Sequence, residues 1–285
     1  MLKQRVITAL VLLAILLPAL FAPSSLPFMA LMLLAVSAGA WEWARLNGVA
    51  GLGALITGLL CGVLCALMWG LGVLQKDLLP LWWLAALLWL PGGIWLLWRG
   101  VAGWGPLPQA LRWAYGVLLL CLAWLALARA HQLGVWFLLS VLVLVWTADI
   151  CAYFSGRALG GRLTGGRKLA PGISPGKSWE GVWGGMLGVL AVAALWLTLE
   201  GSSGGSLYAR LHQTGGWALL APALLLLAAV SVMGDLFESL VKRSAGAKDS
   251  SQLLPGHGGV LDRIDALLPT LPLALWLLVV LGARA

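Results

Sequence analysis

Apolar residues in this chain are gathered into long runs separated by short polar stretches. Nine windows, at about residues 5–22, 27–44, 51–74, 79–98, 112–129, 134–154, 180–199, 216–238 and 264–282, meet or approach the requirement for a span. That requirement is roughly 20 mostly apolar residues per crossing of the hydrocarbon layer. The pattern predicts an all-α, polytopic integral membrane protein with about nine transmembrane helices. Two windows are atypical. The second carries Glu42, and the fourth is interrupted by Pro91-Gly92-Gly93, which predicts a kinked or irregular helix. The first run follows Lys3 and Arg5 and has small residues around Ala19 to Ala22, as a cleavable signal would. The later spans favour a retained first helix.

Composition agrees with this reading. The chain of 285 residues is 61% hydrophobic and only 10% charged, and its mean hydropathy is +0.97. An ordinary soluble domain would be about 25% charged. The 18 Trp suit anchoring at the headgroup level as well as packing. Cys61, Cys65, Cys121 and Cys151 all lie in or beside apolar runs and read as packing residues; Cys61 and Cys65 share a helix face but have no ligand-type neighbour on that helix.

Basic residues decide the orientation. With a cytoplasmic N-terminus, 14 of the 18 Lys and Arg fall inside, leaving Lys76, Arg129, Arg210 and Arg284 outside. The net charge of +8 then belongs to the cytoplasmic face, where it suits anionic lipid and nucleotide phosphates. Without a soluble domain to read a groove, nucleic acid is a poor partner. Residues 1–130 form an N-terminal set of helices, and residues 131–285 a C-terminal catalytic region with cytoplasmic loops 155–179 and 239–263. The stretch Glu200 to Gly215, with Gly201-Ser202-Ser203-Gly204-Gly205-Ser206, reads as a flexible linker on the other side.

The candidate chemistry is concentrated in a polar island from Ser239 to Asp265. Of only ten acidic residues, Asp235, Glu238, Asp249, Asp262 and Asp265 fall within about thirty positions, interleaved with Lys242, Arg243, Lys248 and Arg263. Carboxylates hold hard divalent cations through oxygen, and basic side chains pair with phosphate. Asp235, near the end of the eighth span, can oppose Asp262 and Asp265 at the start of the ninth if the two spans are adjacent, and the three can share Mg²⁺. Alternatives for single residues remain: Asp235 paired with Lys242 or Arg243, Asp262 and Asp265 favoured by a helix N-terminus, His257 fixing its loop instead of contacting phosphate. Asp149 lies in an otherwise apolar run, where a carboxylate must line a polar cavity or pair with a base. Ser174, Lys177 and Glu180 precede or open the seventh span. Gly176-Lys177-Ser178 has the ending of a nucleotide phosphate loop, but no strand is expected before it, so Lys177 reads as a phosphate binder at the membrane surface.

The ordered pattern S-x-x-K-R-x4-K-D-x-S-x-x-L-P-x-H-G-G-x-x-D-R-x-D, from Ser239 to Asp265, resembles the phosphatidate cytidylyltransferases, or CDP-diacylglycerol synthases. Asp149, Ala152, Tyr153, Ser174, Pro175, Lys177, Glu180 and Gly181 match a second family region in part; Ile150, Cys151, Gly176 and Ser178 depart from it. The resemblance covers roughly the C-terminal half. It implies transfer of the cytidylyl group of CTP to phosphatidate in a bacterial inner membrane, by a homodimer using Mg²⁺ and a plausible second cation. Asp235, Asp262, Asp265, His257, Lys242 and Arg263 would be catalytic, the three aspartates holding the metal. Asp149, Ser174, Lys177, Glu180, Arg243, Lys248, Asp249, Gly258 and Gly259 would bind substrate. A CTP-dependent lipid-alcohol kinase and a non-enzymatic transporter are the alternatives.

Overall fold

The computed structural model describes residues 2–201 and 204–283; Ser202, Ser203 and Arg284, each part of an expectation above, lie outside the described residues. Helix α1 (Leu2–Leu20) is followed by α2 (Leu26–Leu46), α3 (Gly51–Gly70), α4 (Leu79–Leu87), α5 (Ile94–Trp104), α6 (Gln109–Leu133) and α7 (Val135–Leu159). A two-stranded antiparallel hairpin, β1 (Lys168–Ala170) and β2 (Ser174–Ser178), then leads into α8 (Trp179–Glu200), α9 (Leu207–Ser244), α10 (Leu261–Ile264) and α11 (Leu267–Val280). Eight helical stretches among the described residues are long and apolar enough to cross a membrane, with α4–α5 and α10–α11 each making one; the apolar part of α1, Val6–Leu20, is shorter.

The irregularity expected at Pro91-Gly92-Gly93 is a π-helical turn, Leu88–Gly93, between α4 and α5. Proline has no N–H to give to the ladder, and the Tyr115 hydroxyl donates to the Leu88 carbonyl at 2.8 Å. Gly93 faces α9, where a Cβ would sit 3.2 Å from Met233 Sδ.

Phe237 of α9 lies at the centre of an aromatic cluster, its ring centroid 5.4–5.9 Å from those of Trp43, Trp89, Trp104 and Tyr115. These rings come from α2, the π turn, α5 and α6. They fix α9 against the N-terminal helices two residues after Asp235, mainly through apolar area with a smaller gain from edge-to-face geometry.

Two sequence expectations need correction. Residues 204–215 are not a flexible linker: Ser206 caps α9 by accepting from Ala209 N at 3.1 Å, the Tyr208 hydroxyl donates to the Ser140 carbonyl at 2.8 Å, and Leu207, Tyr208 and Leu211 are fully buried. The Gly- and Ser-rich composition hid a capped helix start. The real discontinuity is at Gly215 and Gly216, where φ/ψ leave the helical region. At the other end α9 continues through Lys242 and Arg243, so these residues lie on a helix and not in a loop.

Candidate active site

Helices α7 and α8 approach closely because α8 presents Gly181, Gly184, Gly185 and Gly188 along one face. A Cβ at Gly185 would lie 2.7 Å from the Ala148 carbonyl oxygen, and one at Gly181 would lie 2.9 Å from that of Ala152. Small residues at this spacing let backbones meet in membrane helix pairs. The hairpin packs above this contact, and with α7 and α9 it encloses a cavity of about 500 Å³ whose polar lining includes Asp149, Tyr153, Arg157, Ser174, Lys177 and Asp235. A strand does therefore precede α8, contrary to the sequence reading. It contains Lys177 itself, so the arrangement is still not a phosphate loop between strand and helix.

Lys177 Nζ lies 2.5 Å from Asp235 Oδ2, and Ser239 Oγ donates to Asp235 Oδ1 at 3.3 Å. The partner of Asp235 is thus Lys177, not Lys242 or Arg243. Gly234 permits the next contact, since a Cβ there would meet the Asp265 backbone and sit 2.9 Å from the Pro269 ring. This close crossing puts Asp265 within the electrostatic reach of Asp235, Asp149 and Lys242.

Asp262 is held differently. Its Oδ1 accepts from Lys242 Nζ at 2.5 Å; its Oδ2 accepts from Ser250 N (2.9 Å), Ser250 Oγ (2.9 Å) and Gly259 N (2.8 Å). Lys242 also pairs with Glu238 at 2.5 Å. Asp235, Asp262 and Asp265 lie in one region of the fold, but no acidic trio among the described residues brings its oxygens within 4.8 Å of one another.

The polar island is closed by a residue from the other half of the chain. Glu42 of α2 is fully buried and accepts from Ser251 Oγ (2.5 Å), Leu261 N (2.6 Å), Val260 N (2.9 Å) and Ser250 Oγ (3.2 Å). A Cβ at Gly259 would collide with Ser250 Oγ and Glu42, while Gly258 has φ +82°, and a Cβ there would sit 2.7 Å from Asp262 Oδ2. Both glycines make room for carboxylates within the protein. Arg263 donates through Nε and Nη2 to the His257 carbonyl at 3.1 and 2.7 Å, and the buried His257 Nδ1 has no partner.

The remaining sequence candidates fall in three places. Lys248 and Asp249 line a second polar cavity of about 580 Å³ with Arg45, Ser250 and Ser251. Arg243 is exposed, and its Nη1 donates to the Ala247 carbonyl at 3.2 Å. Glu180 is buried outside the first cavity; its Oε1 accepts from Gly161 N (3.1 Å), Leu163 N (3.2 Å), Thr164 N (3.0 Å) and Thr164 Oγ1 (2.8 Å), so it shapes the loop after α7. Sequence reasoning missed three site residues: Glu42, Arg45 and Arg157. The lone carboxylate in the second apolar window was the available signal for the first.

The described carboxylates suit a hard cation. Asp149 and Asp235 line one cavity, and with Asp265 they are oxygen donors of the type a hard cation takes, though among the described residues they are not drawn into one tight group. Asp262, with both oxygens taken by protein donors, fits that role less directly.

The cytidylyltransferase family matches residues 3–281 of this chain. A protein named phosphatidate cytidylyltransferase from Pseudomonas aeruginosa is 44% identical over 279 residues, covering 95% of each chain. Proteins of the same name from Haemophilus influenzae and Bacillus subtilis are 51% and 38% identical over 139 and 147 residues. Those two alignments cover 49% and 52% of this chain, and 44% and 49% of the respective relatives.

Proposed function

The chain belongs to the cytidylyltransferase family, and from that premise we propose that it transfers the cytidylyl group of CTP to phosphatidate, giving CDP-diacylglycerol and pyrophosphate. The near full-length identity to the Pseudomonas aeruginosa protein carries this reading. The cavity under the hairpin, lined by Arg157, Lys177 and Asp235, supports it. Neither a lipid-alcohol kinase nor a transporter gains support from these observations.

Phosphatidate brings its own anionic nucleophile, so no strong general base is needed. One of its phosphate oxygens attacks the α-phosphorus of CTP, the bond to the bridging oxygen breaks, and pyrophosphate leaves. The chain's task is to align two polyanions and screen their repulsion. Arg157 from α7 and Lys177 from the hairpin, both lining the cavity, bind phosphate oxygens. Asp235 restrains Lys177 until substrate arrives. Lys242, held between Glu238 and Asp262, keeps a positive charge beside the aspartate group. Mg²⁺ would be held by Asp235 and Asp265, with Asp149 beside them, and would supply charge neutralisation at the α-phosphate and at leaving pyrophosphate. Asp262 would join that set by exchanging its Lys242 contact. His257 and Arg263, next to one another at the loop, stand ready for the leaving group. The helix end carrying this site faces the cytoplasm of a bacterial inner membrane in this reading, because most of the basic residues gather there.

Label position tests the chemistry. Purified protein with phosphatidate, Mg²⁺ and CTP labelled at the α- or γ-phosphate is expected to give α-labelled lipid and γ-labelled pyrophosphate. Transfer of γ-label to an added lipid alcohol, without α-label in lipid, would overturn the assignment.

A further inference from the structure

Cys61 and Cys65 of α3 and Cys121 of α6 turn their sulfurs toward one point, and none of them lines either polar cavity described above. Cys121 Sγ is 3.7 Å from Cys61 Sγ and 3.9 Å from Cys65 Sγ, and all three atoms lie within 4.8 Å of one another. None is in a disulfide, and Cys61 and Cys65 are fully buried. Sequence reasoning saw the shared face of α3 and read packing, because the third sulfur comes from a helix about sixty positions away.

We propose that this trio is a binding site for a soft monovalent metal ion of the copper(I) class. The sulfur spacing fits it. A metal–sulfur bond of about 2.3 Å places sulfurs about 3.8 Å apart in tetrahedral geometry and about 4.0 Å apart in trigonal geometry, and the observed separations from Cys121 bracket the first value and approach the second. Thiolate ligands select soft ions. No histidine or carboxylate among the described residues joins the group, whereas a structural zinc site takes four ligands. A three-coordinate ion is the better match.

Charge points the same way. The cysteines sit in the middle of two apolar spans, α3 and α6, where net charge is costly. Binding replaces one thiol proton by the metal, and the proton leaves to solvent. One monovalent cation, one thiolate and two neutral thiols then sum to zero. A divalent ion would require two thiolates for the same balance and would still lack a fourth donor.

The test uses full-length reduced protein in detergent under anaerobic conditions, with copper(I) supplied in competition with a chromophoric copper(I) chelator. One ion per chain is expected, with a sulfur-only first shell at about 2.3 Å by X-ray absorption. Cys121→Ser is expected to weaken binding at least 100-fold, while Cys151→Ser, which alters the cysteine outside the trio, leaves it unchanged. Copper uptake below one equivalent in the wild-type protein, or equal uptake by folded Cys121→Ser, overturns the proposal. Should Cys121→Ser fail to fold, the wild-type spectrum decides, because a shell of nitrogen or oxygen donors, or of only two sulfurs, also overturns it.

Discussion

Lys177 Nζ on the hairpin and Asp235 Oδ2 on α9 lie 2.5 Å apart in the wall of the cavity. The pair ties together two segments separated by 58 positions, and in the proposed reaction an incoming phosphate exchanges for the carboxylate. Lys177→Met removes that cation while keeping much of the stem. It is expected to lower kcat/KM for CTP at least 100-fold, about 2.7 kcal/mol of lost transition-state stabilisation. Steady-state kinetics in detergent or vesicles checks it.

Arg157 faces the same cavity, with its Nη1 3.2 Å from the Tyr153 hydroxyl. A lysine in its place keeps the charge but not the planar fork. Arg157→Lys should therefore raise the KM for CTP about tenfold, roughly 1.4 kcal/mol, with a smaller change in kcat. An unchanged KM would remove Arg157 from nucleotide binding.

Glu42 receives four hydrogen bonds from the loop between Ser250 and Leu261. Hydrogen bonds to a charged group contribute about 1.5–3 kcal/mol each, and a donor left buried without a partner costs about 1–3 kcal/mol. Glu42→Ala is expected to release the loop, raising amide exchange over 250–262 and cutting activity at least 100-fold. Glu42→Gln turns an N–H₂ toward donors and should recover only part of both. Wild-type exchange in the alanine variant would show that the latch does not order the loop.

The aspartates should separate in metal titrations. Chelator treatment is expected to stop turnover and Mg²⁺ to restore it. Asp235→Asn and Asp265→Asn should each raise the Mg²⁺ concentration for half-maximal rate at least tenfold. Asp262→Asn, which loses the Lys242 pair, is expected in addition to loosen residues 250–259 in hydrogen exchange. Identical metal and exchange profiles for all three variants would contradict the different environments of these carboxylates.

Phe237 supports the site from behind. Truncating a buried phenylalanine costs about 3–5 kcal/mol, so Phe237→Ala should lower the thermal midpoint in detergent and reduce activity through instability. Tm measurements with and without substrate separate this from a direct effect on binding.

Span positions were legible because hydrocarbon thickness imposes one length scale on every crossing helix. The windows at 51–74 and 180–199, for example, overlie α3 and α8 almost entirely. The irregular fourth span was legible because proline removes a specific donor. What sequence did not disclose depends on contacts between distant segments. Glu42 appears as a flaw in an apolar run until the N–H groups of Val260 and Leu261 are seen pointing at it. Glu180 matches a substrate motif by position, but the loop after α7 folds back over its carboxylate. The glycines of α8 are unremarkable in composition and decisive only against the α7 backbone.

The Glu42 latch also carries an order of events. Its carboxylate is synthesised 219 residues before Leu261, whose N–H it will accept. At ribosomal speeds of about 5–20 residues per second, that interval is about 10–40 s. Throughout it the Glu42 carboxylate is an acceptor whose Val260 and Leu261 donors do not yet exist. A nascent chain halted before residue 250 contains the aromatic cluster, the hairpin and Asp235, and still has no closed site. Closure of the site in this protein therefore waits on the synthesis of Val260 and Leu261.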